Sequence, residues 1–264
     1  MGSLRVLAHA HSTWSYDGRL ALDEWQRLAR DRRCGAVLFA EHEESGWSAE
    51  RYASYVEACA AASDDGVRLI PGVEFTQGGQ HVLCYGLRAW PVRPSSIDVL
   101  AQAAREQGCV LCLAHPGRYR WTYPASVLDA VDAIEVWNSS WVCDGSLGPH
   151  PRTIALAGGR QLFVGQDVHK RHHLGSLYLE VPGDDPIEAL RTGAFEVVHA
   201  GRPWSRGRLL HTGLRARAQQ VRTGVVRGAL QLYRGIRRMT RRVASALDRG
   251  TRTADASLGR DADR

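Results

Sequence analysis

Eight short apolar runs, RVLAHAH, AVLFAEH, VRLIPGVEF, HVLCYGL, CVLCLAHP, AIEVWN, QLFVGQDVH and LYLEV, succeed one another through residues 5–181. Helical patterns separate several of them. Leu22, Trp25, Leu28 and Ala29 share one face at helical spacing, as do Tyr52, Tyr55, Val56 and Cys59, and Ile97, Leu100, Ala101 and Ala104. Gly35, Gly66 and Gly108 stand where these helices would close. Strand and helix in alternation predict an α/β fold with a mainly parallel sheet.

The polar residues have a consistent address. His9, His11, His42, Glu74, His115, Asn138, Asp167 and His169 fall at or just after the C-terminal end of an apolar run, and only His81 opens one. In a barrel of parallel strands that rim gathers ligands and catalytic groups. An open doubly wound sheet does the same at its strand ends, but no glycine-rich phosphate loop opens a helix here, which disfavours a nucleotide-binding open sheet.

His9 and His11 lie two apart in a strand-like run, a spacing that sends both side chains to one side. An isolated H-x-H says little. Six histidines (His9, His11, His42, His81, His115, His169) and three carboxylates (Asp17, Glu74, Asp167) at run ends say more, because such a set is costly to bury without partners or cations.

HAHSTWSYDG resembles the opening H-x-H-[ST]…S-D-G block of the polymerase and histidinol phosphatase (PHP) family, with a tyrosine between serine and aspartate. AEHEESG, PGVEF, QHVLCYG, LAHPGR and GQDVH resemble its later blocks, in order, within residues 4–201. The resemblance implies a distorted seven-stranded (β/α)7 TIM-like barrel with three divalent ions at its strand ends. His9, His11, Glu74 and Asp167 would hold the first. Glu74 would bridge to a second, completed by His81 and His115, and Asp17, His42 and His169 would hold the third. Glu41 and Gln166 stand where the family has aspartate and serine. Imidazole and carboxylate ligands without thiolate suit zinc, manganese or iron alike.

That set implies a metal-dependent phosphoesterase, in which a hydroxide held between metals attacks the phosphorus of a small phosphate mono- or diester, of nucleotide or sugar phosphate type. Arg118 is placed to clamp the phosphate and His172, with His173 beside it, to protonate the leaving group, while Asn138, ending AIEVWN, would orient substrate or cap a turn. Carbamate or carboxyl esters, cleaved as in the carbaryl-hydrolase group, are the alternative that the ligands do not separate. Amidohydrolases that bridge two metals through a carbamylated mid-barrel lysine fit less well, because the only lysine is Lys170.

Residues 1–201 carry 18 basic and 24 acidic groups, whereas sixteen arginines face four aspartates from Arg202 onward. Within 202–249, Val225, Ala229, Leu232, Ile236, Met239, Val243 and Ala246 form one apolar stripe, predicting a basic amphipathic helical extension, followed by a disordered tail over 250–264. The helix is expected to dock on the barrel or on a second subunit. Weak contact with nucleic acid or an anionic membrane is the competing role, and with a catalytically silent barrel it would be the chain's function. The oligomeric state is not legible. Cys109 and Cys112 sit three apart in a strand-like run and point to opposite faces, so the scattered cysteines read as buried free thiols. MGSLRVLAHAHS lacks a secretory layout and no long apolar run occurs, so a soluble cytoplasmic protein is expected.

Overall fold

The computed structural model describes residues 2–91, 94–138 and 151–204. The basic extension and tail from residue 205 onward, and Cys143, lie outside the described residues. In chain order the strands are β1 (Ser3–Ala10), β2 (Ala36–Phe39), β3 (Glu41–His42), β4 (Arg68–Ile70), β5 (Gly72–Gln77), β6 (Gln80–Tyr85), β7 (Val110–Leu113), β8 (Ala133–Asn138), β9 (Gln161–Gly165), β10 (Leu177–Pro182), β11 (Glu196–His199) and β12 (Arg202–Trp204). The helices are α1 (Leu22–Asp31), α2 (Ala49–Ala62), α3 (Ile97–Glu106), α4 (Ala125–Ala130), α5 (Pro151–Ala157) and α6 (Pro186–Thr192).

The helices form where the apolar spacing places them. Leu22, Trp25, Leu28 and Ala29 of α1 are buried, as are Tyr52, Tyr55 and Cys59 of α2 and Ile97, Leu100, Ala101 and Ala104 of α3. Each fully buried large side chain contributes roughly 1.5–3 kcal/mol. Ser48 caps α2 by accepting from Arg51 N–H. Of the glycines expected to close helices, Gly108 takes φ +69°, but α1 is turned by Arg33 at φ +56°. Gly35 instead leaves room for Leu4, whose Cδ1 lies 2.2 Å from where a Cβ would stand.

The strands form two six-stranded sheets, ordered β12-β11-β10-β1-β2-β4 and β3-β5-β6-β7-β8-β9. They are mixed rather than mainly parallel. β1–β2, β2–β4, β3–β5, β7–β8 and β8–β9 pair parallel. β5–β6, β6–β7, β1–β10, β10–β11 and β11–β12 pair antiparallel. The cause of the first reversal is the Gly78-Gly79 turn, both residues at positive φ, which closes a tight hairpin instead of a helical crossover. It also accounts for His81: β6 runs backwards, so its first residues reach the rim where the parallel strands end. The sheet takes in Arg202–Trp204, three residues past the boundary read from the sequence.

Two of the apolar runs split, AVLFAEH at Ala40 into β2 and β3, and VRLIPGVEF at Pro71 into β4 and β5, and each half joins a different sheet. The segment after β9 returns to β1. Gln166 N–H donates to Ala8 O at 3.0 Å, Val168 N–H to His9 O at 3.1 Å, and His11 N–H to Val168 O at 2.9 Å. Among the described residues, no helix is long and apolar enough to cross a membrane. Cys34, Cys59, Cys84, Cys109 and Cys112 are free and buried.

Candidate metal centre

All nine residues singled out by the sequence converge on one rim. His9 and His11 close the deep end with fully buried side chains, and Asp17, at 38% exposure, lies nearest solvent. Strand alternation is not what brings His9 and His11 together. The β1–β2 register shifts between Ala8 and Ala10, His9 sits in that bulge at φ +61°, and His11 follows the strand. His115 and Asp167 also hold positive φ, +28° and +51°, so three of the nine occupy a region that side-chain-bearing residues rarely adopt.

Glu74 is the hub. Its Oε1 contacts His81 Nδ1 and lies 3.1 Å from His115 Nε2 and 3.8 Å from His9 Nε2. Its Oε2 lies 3.1 Å from His42 Nδ1 and 3.7 Å from His11 Nε2. Asp167 Oδ1 approaches His9 Nε2 at 3.4 Å, His11 Nε2 at 3.2 Å and His169 Nδ1 at 3.5 Å. At the mouth, Asp17 is 3.4 Å from His42 Nε2 and 3.3 Å from His169 Nε2. Asp17 therefore belongs with His42 and His169, although only five residues separate it from His11.

Hydrogen bonds outside this ring fix which nitrogen faces in. Glu135 Oε1 takes the Nδ1 proton of His9 at 2.8 Å, and the carbonyl of Asp167 takes that of His169 at 3.1 Å. Ser15 donates its hydroxyl proton to Glu41 and accepts from His42 N–H at 3.0 Å, which leaves its oxygen facing His11 Nδ1 at 3.4 Å as an acceptor. Each of these rings thereby directs an Nε2 lone pair into the cluster. The Nε2 atoms of His9 and His11 are buried there and make no hydrogen bond. Divalent ions fit this donor chemistry: inward lone pairs, carboxylates between them, and Nδ1 protons held from behind. Three overlapping donor sets lie close enough to share an ion, His9–His11–Asp167, His9–Glu74–His115 and His11–His42–His169.

Charge follows the same geometry. Burial weighs against ionising Glu74, yet hydrogen bonds from His115, His42 and His81 hold it well below the usual carboxylate range. Asp167 is likewise lowered against its burial, by His9 and His11. Burial, with repulsion from His169 and His42, pushes His11 down to about 3 against the pull of Asp167. His9 is buried as deeply but is raised, because Glu135 and Asp167 outweigh the burial.

Glu135 was not anticipated as a site residue, yet it is fully buried and central. Its Oε2 accepts from His115 N–H at 2.6 Å and from Asn138 Nδ2 at 3.0 Å, so Asn138 faces Glu135. Its signal was an acid in the middle of the apolar run AIEVWN. Glu41, with a longer reach than an aspartate, accepts from Ser12 N–H at 2.9 Å and Ser12 Oγ at 2.6 Å. Gln166 ties the site to the start of β10, donating to Leu177 O at 2.5 Å and accepting from Gly175 N–H at 2.7 Å.

The cluster opens into a cavity of about 580 Å³ lined also by Tyr16, Arg19, Glu44, Arg118, Lys170 and His173. Arg118 is there as expected. His172 is not: it is exposed and packs edge-on against His173 at 4.6 Å, and His173 lines the cavity in its place.

No protein-family model matches the chain, and no curated protein matches it in sequence. Solved structures do. PsfC from Pseudomonas syringae PB-5123 is 17% identical, with 87% of this chain and 100% of that one aligned at a TM-score of 0.56. A candidate metal-dependent phosphoesterase from Bifidobacterium adolescentis is 17% identical over 63% of this chain and 88% of its own, at 0.44. An amidohydrolase from Chromobacterium violaceum, solved with sulfate and no metal, is 15% identical over 74% of this chain and 97% of its own, at 0.47. The chain shares the fold of PsfC.

Proposed function

We propose that this chain is a metal-dependent phosphoesterase of the PHP kind, hydrolysing a small phosphate mono- or diester. The observation that carries the reading is Glu74, a buried carboxylate facing five imidazoles contributed by different parts of the fold. The three overlapping donor sets support three divalent ions, zinc, manganese or iron, with Glu74 between two of them. The backbone bonds that return the chain to β1 after β9 support a distorted barrel, ordered β1, β2–β3, β4–β5, β6, β7, β8, β9.

Bound there, such ions would acidify a water for attack on phosphorus and offset charge developing on the phosphoryl oxygens. The chain's own groups do the rest. Arg118, Arg19 and Lys170 bring positive charge to the cavity, and a guanidinium matches phosphate oxygens in pairs. His173 Nδ1 accepts from His169 N–H at 3.4 Å, which puts the proton of the neutral ring on Nε2, where it can donate a hydrogen bond to a phosphoryl or ester oxygen while water supplies the proton that the departing oxygen takes up.

The test is elemental analysis of wild-type and Glu74→Ala protein beside a panel of nucleotides, sugar phosphates, and carboxyl and carbamate esters. Wild type is expected to hold metal and cleave phosphate esters, and E74A to lose both. E74A protein that kept its metal and its turnover would overturn the reading. Wild-type cleavage of carboxyl or carbamate esters alone would replace the substrate class.

A further inference from the structure

Tyr16 is the exposed aromatic of the cavity. It is 64% exposed, and among the large apolar residues of the described chain only Val99 is exposed beside it. One face of the ring stacks on His42, with centroids 5.0 Å apart and planes 26° from parallel. The ring also lines the cavity shared by Asp17, Glu74, Asp167 and His169.

The turn that carries Tyr16 is held on both sides. Ser15 is bonded to Glu41 and to His42 N–H, and Asp17 faces His42 and His169. Tyr16 N–H donates to Ser45 Oγ at 3.2 Å. Behind it, Trp14 stacks on Trp47, whose indole N–H donates to His42 O at 2.9 Å. An aromatic ring presented to water from so fixed a turn gains nothing from the core. It costs little to order, because its backbone is already held.

We infer that Tyr16 is a specificity-determining platform on which the organic part of the substrate stacks, so that the preferred ester carries a planar aromatic or heteroaromatic ring. This rests on the phosphoesterase reading and deepens it. A phosphoryl group facing His42, Asp17 and His169 lies beside the His42 ring, and whatever is esterified to it extends toward the tyrosine. The cavity exceeds what a phosphate needs and falls in the range that encloses a drug-sized molecule. Arg19, Arg118 and Lys170 serve the anionic end, while Tyr16 offers a π-face that, among the described lining residues, distinguishes a flat ring from a sugar or glycerol.

The experiment compares kcat/KM of the metal-loaded wild type, Tyr16→Ala, Tyr16→Phe and Tyr16→Trp on a nucleoside monophosphate, phenyl phosphate and glycerol phosphate. Stacking on an aromatic side chain sets an expected change of about tenfold. The preference for ring-bearing esters over glycerol phosphate should fall by about that factor in Y16A and persist in Y16F and Y16W. A fall for the nucleotide alone assigns the ring to a nucleobase, and a fall for both assigns it to any aryl ester; either upholds the platform. An unchanged ratio in Y16A overturns it, as does a ratio lost equally in Y16F. So does metal loss in Y16A with all three esters slowed by one factor, since the ring would then only support His42. If wild type cleaves none of the three, the phosphoesterase reading has failed, and equilibrium binding of the same compounds decides. Preference for the ring-bearing ones that disappears in Y16A upholds the platform, and equal affinities overturn it.

Discussion

Glu135 orders the deep end of the cluster without joining it. Its two oxygens are spoken for by His9 Nδ1 on one side and by His115 N–H and Asn138 on the other, all donors. Glu135→Gln keeps the shape but replaces one acceptor oxygen with an NH₂ group. Either a backbone N–H loses its partner, or His9 turns over its tautomer and presents a proton where its lone pair had been. Losing such an orienting partner typically costs ten- to a hundredfold in metal affinity. Competition with a chromophoric chelator should show that drop in E135Q with its circular dichroism unchanged; wild-type affinity would end the orienting role. The nine inward residues were legible because recurrence gave each weak motif company. Glu135 was legible in principle, as an acid in a run buried on both faces, where a charge needs partners. Its geometry was not, because the partner that explains it, His9, lies 126 positions away.

At the scale of elements, the end of β9 passes so close to β1 and β8 that one residue has no room for a side chain. A Cβ on Gly165 would stand 1.9 Å from Glu135 Oε1 and 2.7 Å from His9 Cβ. Gly165→Ala must therefore push Glu135 off His9 or move a strand. Overpacking of this kind costs about 1–3 kcal/mol. G165A is expected to lose that much in urea unfolding and to bind metal more weakly. Gly159→Ala, with open space around the new methyl and an ordinary backbone, is the control and should stay near wild type. Unchanged stability and metal affinity in G165A would show that the strands yield freely there. Helix faces were readable because 3.6-residue spacing is local. Strand direction was only partly so: the Gly78-Gly79 turn announces the β5–β6 hairpin, but nothing local announces the breaks at Ala40 and Pro71. The bulge at His9 was hidden in the same way, and it defeats the simple rule that residues two apart share a face.

Across the described residues, apolar packing and the cluster of ionisable groups are kept apart. The large buried rings, Trp25, Tyr52, Tyr55, Tyr85, Phe39, Phe75 and Phe163, belong to the core, while Glu74, Asp167 and their histidines gather at one rim. The fold therefore has its own source of stability, and metal adds to it by mass action instead of creating it. Free metal at a hundred times its dissociation constant stabilises a single site by about 2.7 kcal/mol. For a domain of this size each kcal/mol moves Tm by roughly 2–4 °C. Chelated protein should thus retain its far-UV circular dichroism and unfold cooperatively, and manganese or zinc should raise Tm by about 5–10 °C for one occupied site, more if further sites fill. Glu74→Ala should unfold at a Tm that metal hardly changes, because the bridge among the donor sets is gone. An equal rise in E74A would place the ion elsewhere. Loss of secondary structure on chelation would mean that the imidazoles and carboxylates at the rim cannot stay together without their cations, and that the metal is part of the fold as well as of the site.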